Sequence, residues 1–281
     1  MMELTGKESQ FDPMEPLNFI RHNRAAWNRL AEKRDRLATP AQDADFEQPL
    51  RFIDGPGWLG PDIRGRDVLC LAAGGGRQGP LYAAAGANVT VVDLSPAMLE
   101  LDCTVARQRK LSLRTIEASM HDLSMLGDAV FDIVVHPVST CYVPDVVPVY
   151  QEVARVLRCG GLYISQHKQP TSLQSDLKTT QGRYSIHHRY YSREPLSPIP
   201  QPNWIREDGT LEFIHRWEDL IGKMCRAGMV IEDLIEPLHA KQDAAENTFE
   251  HRAQFIAPYV RIKARRTVRR EGQVNALVLE S

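Results

Sequence analysis

Residues Val68-Leu69-Cys70-Leu71-Ala72 form a short unbroken apolar run, and Gly74-Gly75-Gly76 follow almost at once. A run of that length with turn residues at its end reads as a strand buried on both faces, the habit of a parallel sheet. Glycine has no Cβ, so three in succession let another group approach the backbone, at an entropic cost that a plain turn has no need of. Helical sequence follows at 78–86, with Pro80 in a first turn that needs no donor and Gly86 to end it. A second apolar run, Val89-Thr90-Val91-Val92, closes on Asp93, 19 residues after Gly74. Strand, glycine turn, helix, strand and acid make a nucleotide-binding βαβ unit. The amides at the helix start favour an anion, and the acid stands where a ribose would be held. The unit predicts an adenosine-containing ligand. Gly74 to Gly79 also matches G-x-G-x-x-G, which suits a nicotinamide dinucleotide equally well.

The rhythm continues. Ser95-Pro96 opens a helix as N-cap and first residue, carrying Met98, Leu99, Leu101, Val105 and Ala106. A short strand near 112–117 and a buried strand at Phe131–His136 follow. A helix at 145–157, ended by Gly160-Gly161, leads to a strand at 162–166. This alternation predicts an α/β fold with a doubly wound parallel sheet. Before it, residues 1–17 show no periodicity, and Asn18–Leu37 reads as a helix. Residues 38–66 have loop composition, with one short helix near Phe46. After Gln166 the alternation breaks. Residues 168–210 are rich in Pro, Ser, Gln, His and Tyr and read as an inserted cap, the kind of long irregular segment that often carries function. Phe213–Ala227 reads as an amphipathic helix, and 229–235 and 255–264 as strands. The expected divisions are 1–66, an N-terminal helical or lid segment; 67–167, the nucleotide-binding core; 168–212, the cap; 213–268, the rest of the core; and 269–281, a tail.

A net charge of −2 offers no overall basic field for nucleic acid or anionic lipid. The cluster Arg261, Lys263, Arg265, Arg266, Arg269 and Arg270 reads as a solvated strand edge, where charge discourages edge pairing. No run of about 18 apolar residues suggests a membrane span, and the first residues lack the apolar core of a signal peptide. The five cysteines include no C-x-x-C pair, so buried reduced thiols and a cytoplasmic setting are expected.

Three features narrow the ligand. Phe131-Asp132-Ile133-Val134-Val135, then Val156-Leu157-Arg158-Cys159-Gly160-Gly161 before a strand, then a closing strand pair, resemble the class I S-adenosylmethionine-dependent methyltransferases. Asp93-Leu94-Ser95-Pro96-Ala97-Met98 looks like that family's second motif. The resemblance covers about 67–167 well and 213–265 loosely, and does not cover the cap. It implies a Rossmann-like seven-stranded, mostly parallel sheet whose last strand is antiparallel, with S-adenosylmethionine as cofactor. It also implies roles. Ala72, Ala73, Gly74 and Gly76 would face the methionine part, Asp93 the ribose, Leu94 and Met98 the adenine, and Met120 the adenine edge. His136 would stand beside the methyl group. Two departures are visible: Cys70 replaces the usual acid of the first strand, and Ser119 replaces the acid before the adenine loop, with Asp122 three residues on. Either Ser119 or Asp122 could accept the adenine amino proton.

The expected reaction is methyl transfer to a small-molecule O, N or S acceptor, with no nucleic acid or membrane partner, in a monomer or homodimer. His136 is the first candidate for a general base, since imidazole titrates near neutrality and this one follows the end of a parallel strand. It could equally be a hydrogen-bonded structural histidine. His188 and Tyr190 of the cap are the next candidates. The neighbouring His187-His188 pair lacks a partner at metal-ligand spacing, so no metal is expected. Trp27 is core or a lid over the cofactor. The rival readings are an NAD(P)-dependent oxidoreductase and a non-catalytic protein that binds S-adenosylmethionine.

Overall fold

The computed structural model describes residues 16–199 and 203–267. The segment expected to lack order at 1–17 lies, except for its last two residues, outside them, as do the tail 269–281 and its Arg269 and Arg270.

Seven strands form one sheet: β1 Asp67–Leu71, β2 Asn88–Asp93, β3 Leu113–Glu117, β4 Phe131–His136, β5 Leu157–Lys168, β6 Met229–Ile235 and β7 Tyr259–Arg266. Their order is β3-β2-β1-β4-β5-β7-β6. β1 to β5 run parallel, and β7 runs antiparallel to both of its neighbours. Chain order reverses between β1 and β4, the place where open α/β sheets bind ligands.

Alternation of side chains along β1 builds two cores. Leu69 and Leu71 pack with Val149, Val153 and Val156 of helix α5 on one face. Val68 and Cys70 pack with Tyr82 and Leu99 on the other. Those two come from helices α3 and α4. The helices are α1 Pro16–Glu32, α2 Pro49–Ile53, α3 Gln78–Ala84, α4 Pro96–Arg109, α5 Val147–Val156, α6 Pro170–Gln174, α7 Lys223–Arg226 and α8 Phe249–Arg252. Asp43–Phe46 is a single 3-10 turn, at the place of the short helix expected near Phe46.

Four expectations need correction. The first helix ends at Glu32, and Leu37 sits in a separate 3-10 turn, Arg36–Ala38. Gly160-Gly161 does not end α5. The helix stops at Val156 and β5 starts at once, with the glycines inside an irregular stretch where the register shifts between Phe131 and Ile133. Residues 213–216 are not helical. They run extended and largely buried, Phe213 N donating to Cys141 O at 2.7 Å, and a π-helical turn at Glu218–Gly222 leads into α7. The basic strand β7 is not a sheet edge, for β6 covers it. Arg265 and Lys263 pair with Glu232 of β6, and Arg261 donates to Gln166 of β5 at 2.7 Å.

Two clamps place the segments that flank the carboxyl ends of the strands. Arg155 of α5 donates to Leu123 O and Leu126 O, both at 2.8 Å, while Glu152 accepts from Leu123 N at 2.7 Å. This fixes the loop after β3. Asn23 of α1 is buried and joins three segments: it donates to Tyr142 O at 3.0 Å and Leu211 O at 3.2 Å, and accepts from Leu211 N at 2.7 Å. An apolar replacement would leave those backbone groups without partners. Asn23→Leu is expected to cost about 3 kcal/mol, read as a lower denaturation midpoint in urea with an unchanged slope.

Candidate functional site

A cavity of about 430 Å³ lies over the carboxyl ends of the strands. Sheet order arranges its lining. Ser119 and Met120, after β3, stand at one end. Asp93 and Leu94, after β2, and the turn Ala72–Gly75, after β1, follow. Pro137, Ser139 and Tyr142, after β4, Gln166 of β5 and Tyr259 of β7 complete the other end. Phe19, Asn23 and Trp27 of α1, with Arg36 and Leu37, roof it. Trp27 lines the cavity and meets the edge of Tyr142 at 5.6 Å between ring centres. Arg36 donates to Asn203 O and stacks 4.3 Å from the Trp204 ring, which ties the roof to the cap.

The glycine turn is built for close approach. A Cβ on Gly74 would stand 2.8 Å from Met98 Cβ and 3.0 Å from the Asp93 carboxylate. Gly75, at φ +120°, would place one 2.9 Å from Met98 Cε. Ala72 adopts φ +48°, a left-handed conformation that L residues resist. Gly76 turns away from the cavity toward α4, where a Cβ would meet Leu101 O at 3.0 Å.

Asp93 faces this space. Its two oxygens each accept one amide, from Gly74 at 2.8 Å and from Ser95 at 2.9 Å. Each oxygen keeps acceptor capacity, and among the described residues no cation forms a salt bridge with it. Burial raises the Asp93 pKa, against the amides of Ser95, Gly74 and Leu94, which lower it. Ser95 in turn caps α4, accepting from Met98 N at 3.1 Å, while its hydroxyl donates to Asn28 of α1 at 2.6 Å. Leu94, Met98, Ser119 and Met120 line the cavity, and so do Ala72, Ala73 and Gly74.

The candidate bases are not brought together. His136 is buried under the cavity and does not line it. Its ring nitrogens are taken by Tyr163 Oη at 2.7 Å and Ser139 Oγ at 2.6 Å, and burial pushes its pKa down to about 3. Ser139 stands at the cavity wall in its place. His188 lines a different cavity, of about 780 Å³, between the cap and α8. Tyr190 uses its hydroxyl to accept Trp217 N at 3.2 Å. Asp122 is exposed and accepts Ser124 N, so of the two candidates at the adenine end only Ser119 reaches the cavity. His187 to Tyr190 are held apart from the first cavity, with His187 N and His188 N both donating to Gln174 O of α6.

A different part of the cap reaches in. Glu207 lines the cavity, its side chain 9% exposed and 2.5 Å from Lys168 Nζ. Lys168 also meets Glu212 at 2.9 Å, and Arg206 meets the far oxygen of Glu212 at 3.3 Å. Burial opposes the charge of Lys168, but Glu207 and Glu212 outweigh it and hold its pKa well above the usual value. Burial, then the nearby Glu207 charge, keep the Tyr142 phenol protonated. Sequence reading singled out His136 and the cap as a whole. Nothing in the spacing around Glu207, Gln166 or Tyr259 marked them, since they meet only in the folded chain.

Comparison with known proteins agrees with this geometry. Residues 69–165 match a family described as a methyltransferase domain. An uncharacterized methyltransferase, YbaJ, of Bacillus subtilis is 35% identical over 229 residues, covering 77% of this chain and 90% of that protein. In fold, the chain is similar to a putative S-adenosylmethionine-dependent methyltransferase from Listeria monocytogenes, with TM-score 0.60 and 19% identity over 79% of this chain and 99% of the other. It is also similar to one from Mesorhizobium loti, with TM-score 0.57 and 18% identity over 79% and 100%. The nucleotide-binding βαβ unit, the reversed last strand and a relative matched over nearly its whole length lead to one conclusion: the chain belongs to the class I S-adenosylmethionine-dependent methyltransferases, enzymes whose cofactor is S-adenosylmethionine.

Proposed function

We propose that this enzyme methylates a small molecule through an O–H or N–H group that meets Ser139, Tyr142 and Glu207, with Glu207 taking the proton. The observation that carries this reading is the continuity of the cavity from Asp93 to Glu207 under one roof. Its volume of about 430 Å³ falls in the range of small-molecule sites. A roof made of α1 and the cap favours a compact acceptor over a polymer.

The residues present fit the cofactor. Asp93 keeps acceptor capacity on both oxygens, as a ribose diol requires, and no cation competes for it among the described residues. Gly74 and Gly75 leave room that a Cβ would fill. Asp93 would hold the ribose, Leu94, Met98 and Met120 would enclose the adenine, Ser119 would meet its edge, and Ala72 to Gly74 would follow the methionine part. Bound S-adenosylmethionine supplies a methyl group already activated by a sulfonium, so no covalent enzyme intermediate is required.

The chain's own task is to orient the acceptor, exclude water and receive a proton. Orientation can supply several kcal/mol when the reacting atoms are held in line. Ser139 is fixed by His136 and by Pro137 O, which accepts from its hydroxyl at 3.1 Å. Trp27 and Arg36 close the roof against solvent. Glu207 can take a proton because Lys168 anchors one carboxylate oxygen, Oε2, and leaves the other unused. No such role falls to His136, His188 or Tyr190.

Two measurements test this. Calorimetry with S-adenosylhomocysteine is expected to show binding to the parent, and about 100-fold weaker binding to Asp93→Ala, the loss of two hydrogen bonds to a charged acceptor. Equal affinity would remove Asp93 from the site. A panel of small alcohols, phenols and amines, assayed by release of S-adenosylhomocysteine, is expected to yield an acceptor. With it, Glu207→Gln should lower kcat about 10²-fold or more while cofactor affinity stays unchanged. An unchanged kcat would show that Glu207 is not the base, and binding without turnover by any acceptor would favour a non-catalytic protein.

A further inference from the structure

The glycine turn leans on a second carboxylate, which lies below it. Asp102 is wholly buried on α4, two turns past the Ser95 cap. Its Oδ2 accepts the amide of Gly75 at 2.9 Å, and the amide of Gly76 favours the charged form of the same carboxyl. Asp93 takes the amide of Gly74. The three successive glycine amides therefore face two carboxylates, Gly74 bonded to one at the cavity wall and Gly75 to one under the turn.

The position is a costly one. Oδ1 of Asp102 is buried with no hydrogen-bond partner, and no cation forms a salt bridge with the group among the described residues. Burial pushes its pKa up to about 7, against the amides of Gly76 and Gly75, and a carboxyl in that setting is unfavourable unless something else requires it. Room for it is kept by Gly79, where a Cβ would stand 3.0 Å from Oδ1 and 2.5 Å from Val91 Cγ2. The strand below offers no substitute. Cys70 of β1 is buried beside Asp102, and burial together with the Asp102 charge keeps its thiol protonated. A thiol is a weak acceptor and cannot hold backbone amides as a carboxylate does.

We infer that Asp102 is a positioning residue of the cofactor site: it fixes the amides of Gly75 and Gly76 so that the turn keeps the shape the methionine part of the cofactor lies against. The inference rests on the cofactor following this turn. Asp102 touches no ligand itself. Its effect passes through the backbone of Gly75, which lines the cavity, and of Gly76, which braces the turn on α4.

The test measures S-adenosylhomocysteine affinity by calorimetry, thermal midpoint without ligand, and amide exchange at Gly75 and Gly76. Asp102→Ala is expected to bind at least 10-fold more weakly and to exchange faster at those two amides, with the midpoint of the free protein little changed, because a buried polar atom without a partner is removed as well. Asp102→Asn, which keeps one amide acceptor and the side-chain shape, should lose less. Adding Cys70→Asp to Asp102→Ala should recover most of the affinity, since a carboxylate then reaches the turn from the strand. Parent-like affinity in Asp102→Ala overturns the inference, and so does a loss of affinity in both variants that only follows a fall in midpoint, without faster exchange confined to the turn. A parent that fails to bind would instead overturn the assignment of the site.

Discussion

The hydrogen bond from Gly74 N to the Asp93 carboxylate joins the ends of two neighbouring strands, and the cavity is shaped around it. β1 and β2 run in register, Leu71 beside Val92, so the turn leaving one strand meets the acid ending the other. Met98 then packs against the turn so closely that only glycine fits at 74 and 75. An acid held only by backbone amides stays open to further donors. Had a lysine or arginine been paired with Asp93, its second lone pairs would have been committed. The site thus depends on a carboxylate that is fixed in place and incompletely used.

At the other end of the cavity the protein spends buried polar groups to hold a loop. His136, His167 and His215 lie under residues 137–143, each without charge and each hydrogen-bonded. His167 joins Thr140 Oγ1 and Ser165 Oγ, both at 2.8 Å. His215 reaches Thr140 O at 2.9 Å and Val143 O at 3.0 Å. Burial lowers the pKa of all three, so they act as neutral hydrogen-bonding spacers. Satisfied polar networks of this kind specify one arrangement of the chain above them. The arrangement they specify presents Ser139 and Tyr142 to the cavity. Lys168 between Glu207 and Glu212 does the same for the cap, fixing one carboxylate where a neutral side chain would have no partner to align it.

The divide between readable and unreadable residues follows these networks. The glycine turn and Asp93 were legible because one βαβ unit contains them, and their spacing reflects strand and helix lengths, whereas Leu94 and Met98, which follow that unit, were marked only by the family resemblance. His136 was legible as a residue at the end of a strand, but not as one facing inward. Its neighbours alternate in and out, and the choice of side depends on Tyr163 of the next strand and Ser139 of the loop. The end of α5 was misplaced because Gly160-Gly161 suits a helix end and an irregular strand alike. β7 looked like an edge because its arginines are charged, and their partner Glu232 lies 33 residues away. Asp102 carried no signal, since an acid on a helix is usually solvated.

Sequence alone determined the alternation of strands and helices and the glycine turn with its acid, and its resemblance to the methyltransferase family pointed to the cofactor. These are short-range properties, set by side-chain period and by backbone groups within one unit. The tertiary structure decided which side chains share the cavity. Glu207 reaches it from the cap, Tyr259 from the last strand and Trp27 from the first helix. Their meeting depends on contacts between segments far apart in the chain, such as Asn23 with Leu211 and Lys168 with Glu207, and no local pattern encodes such distances.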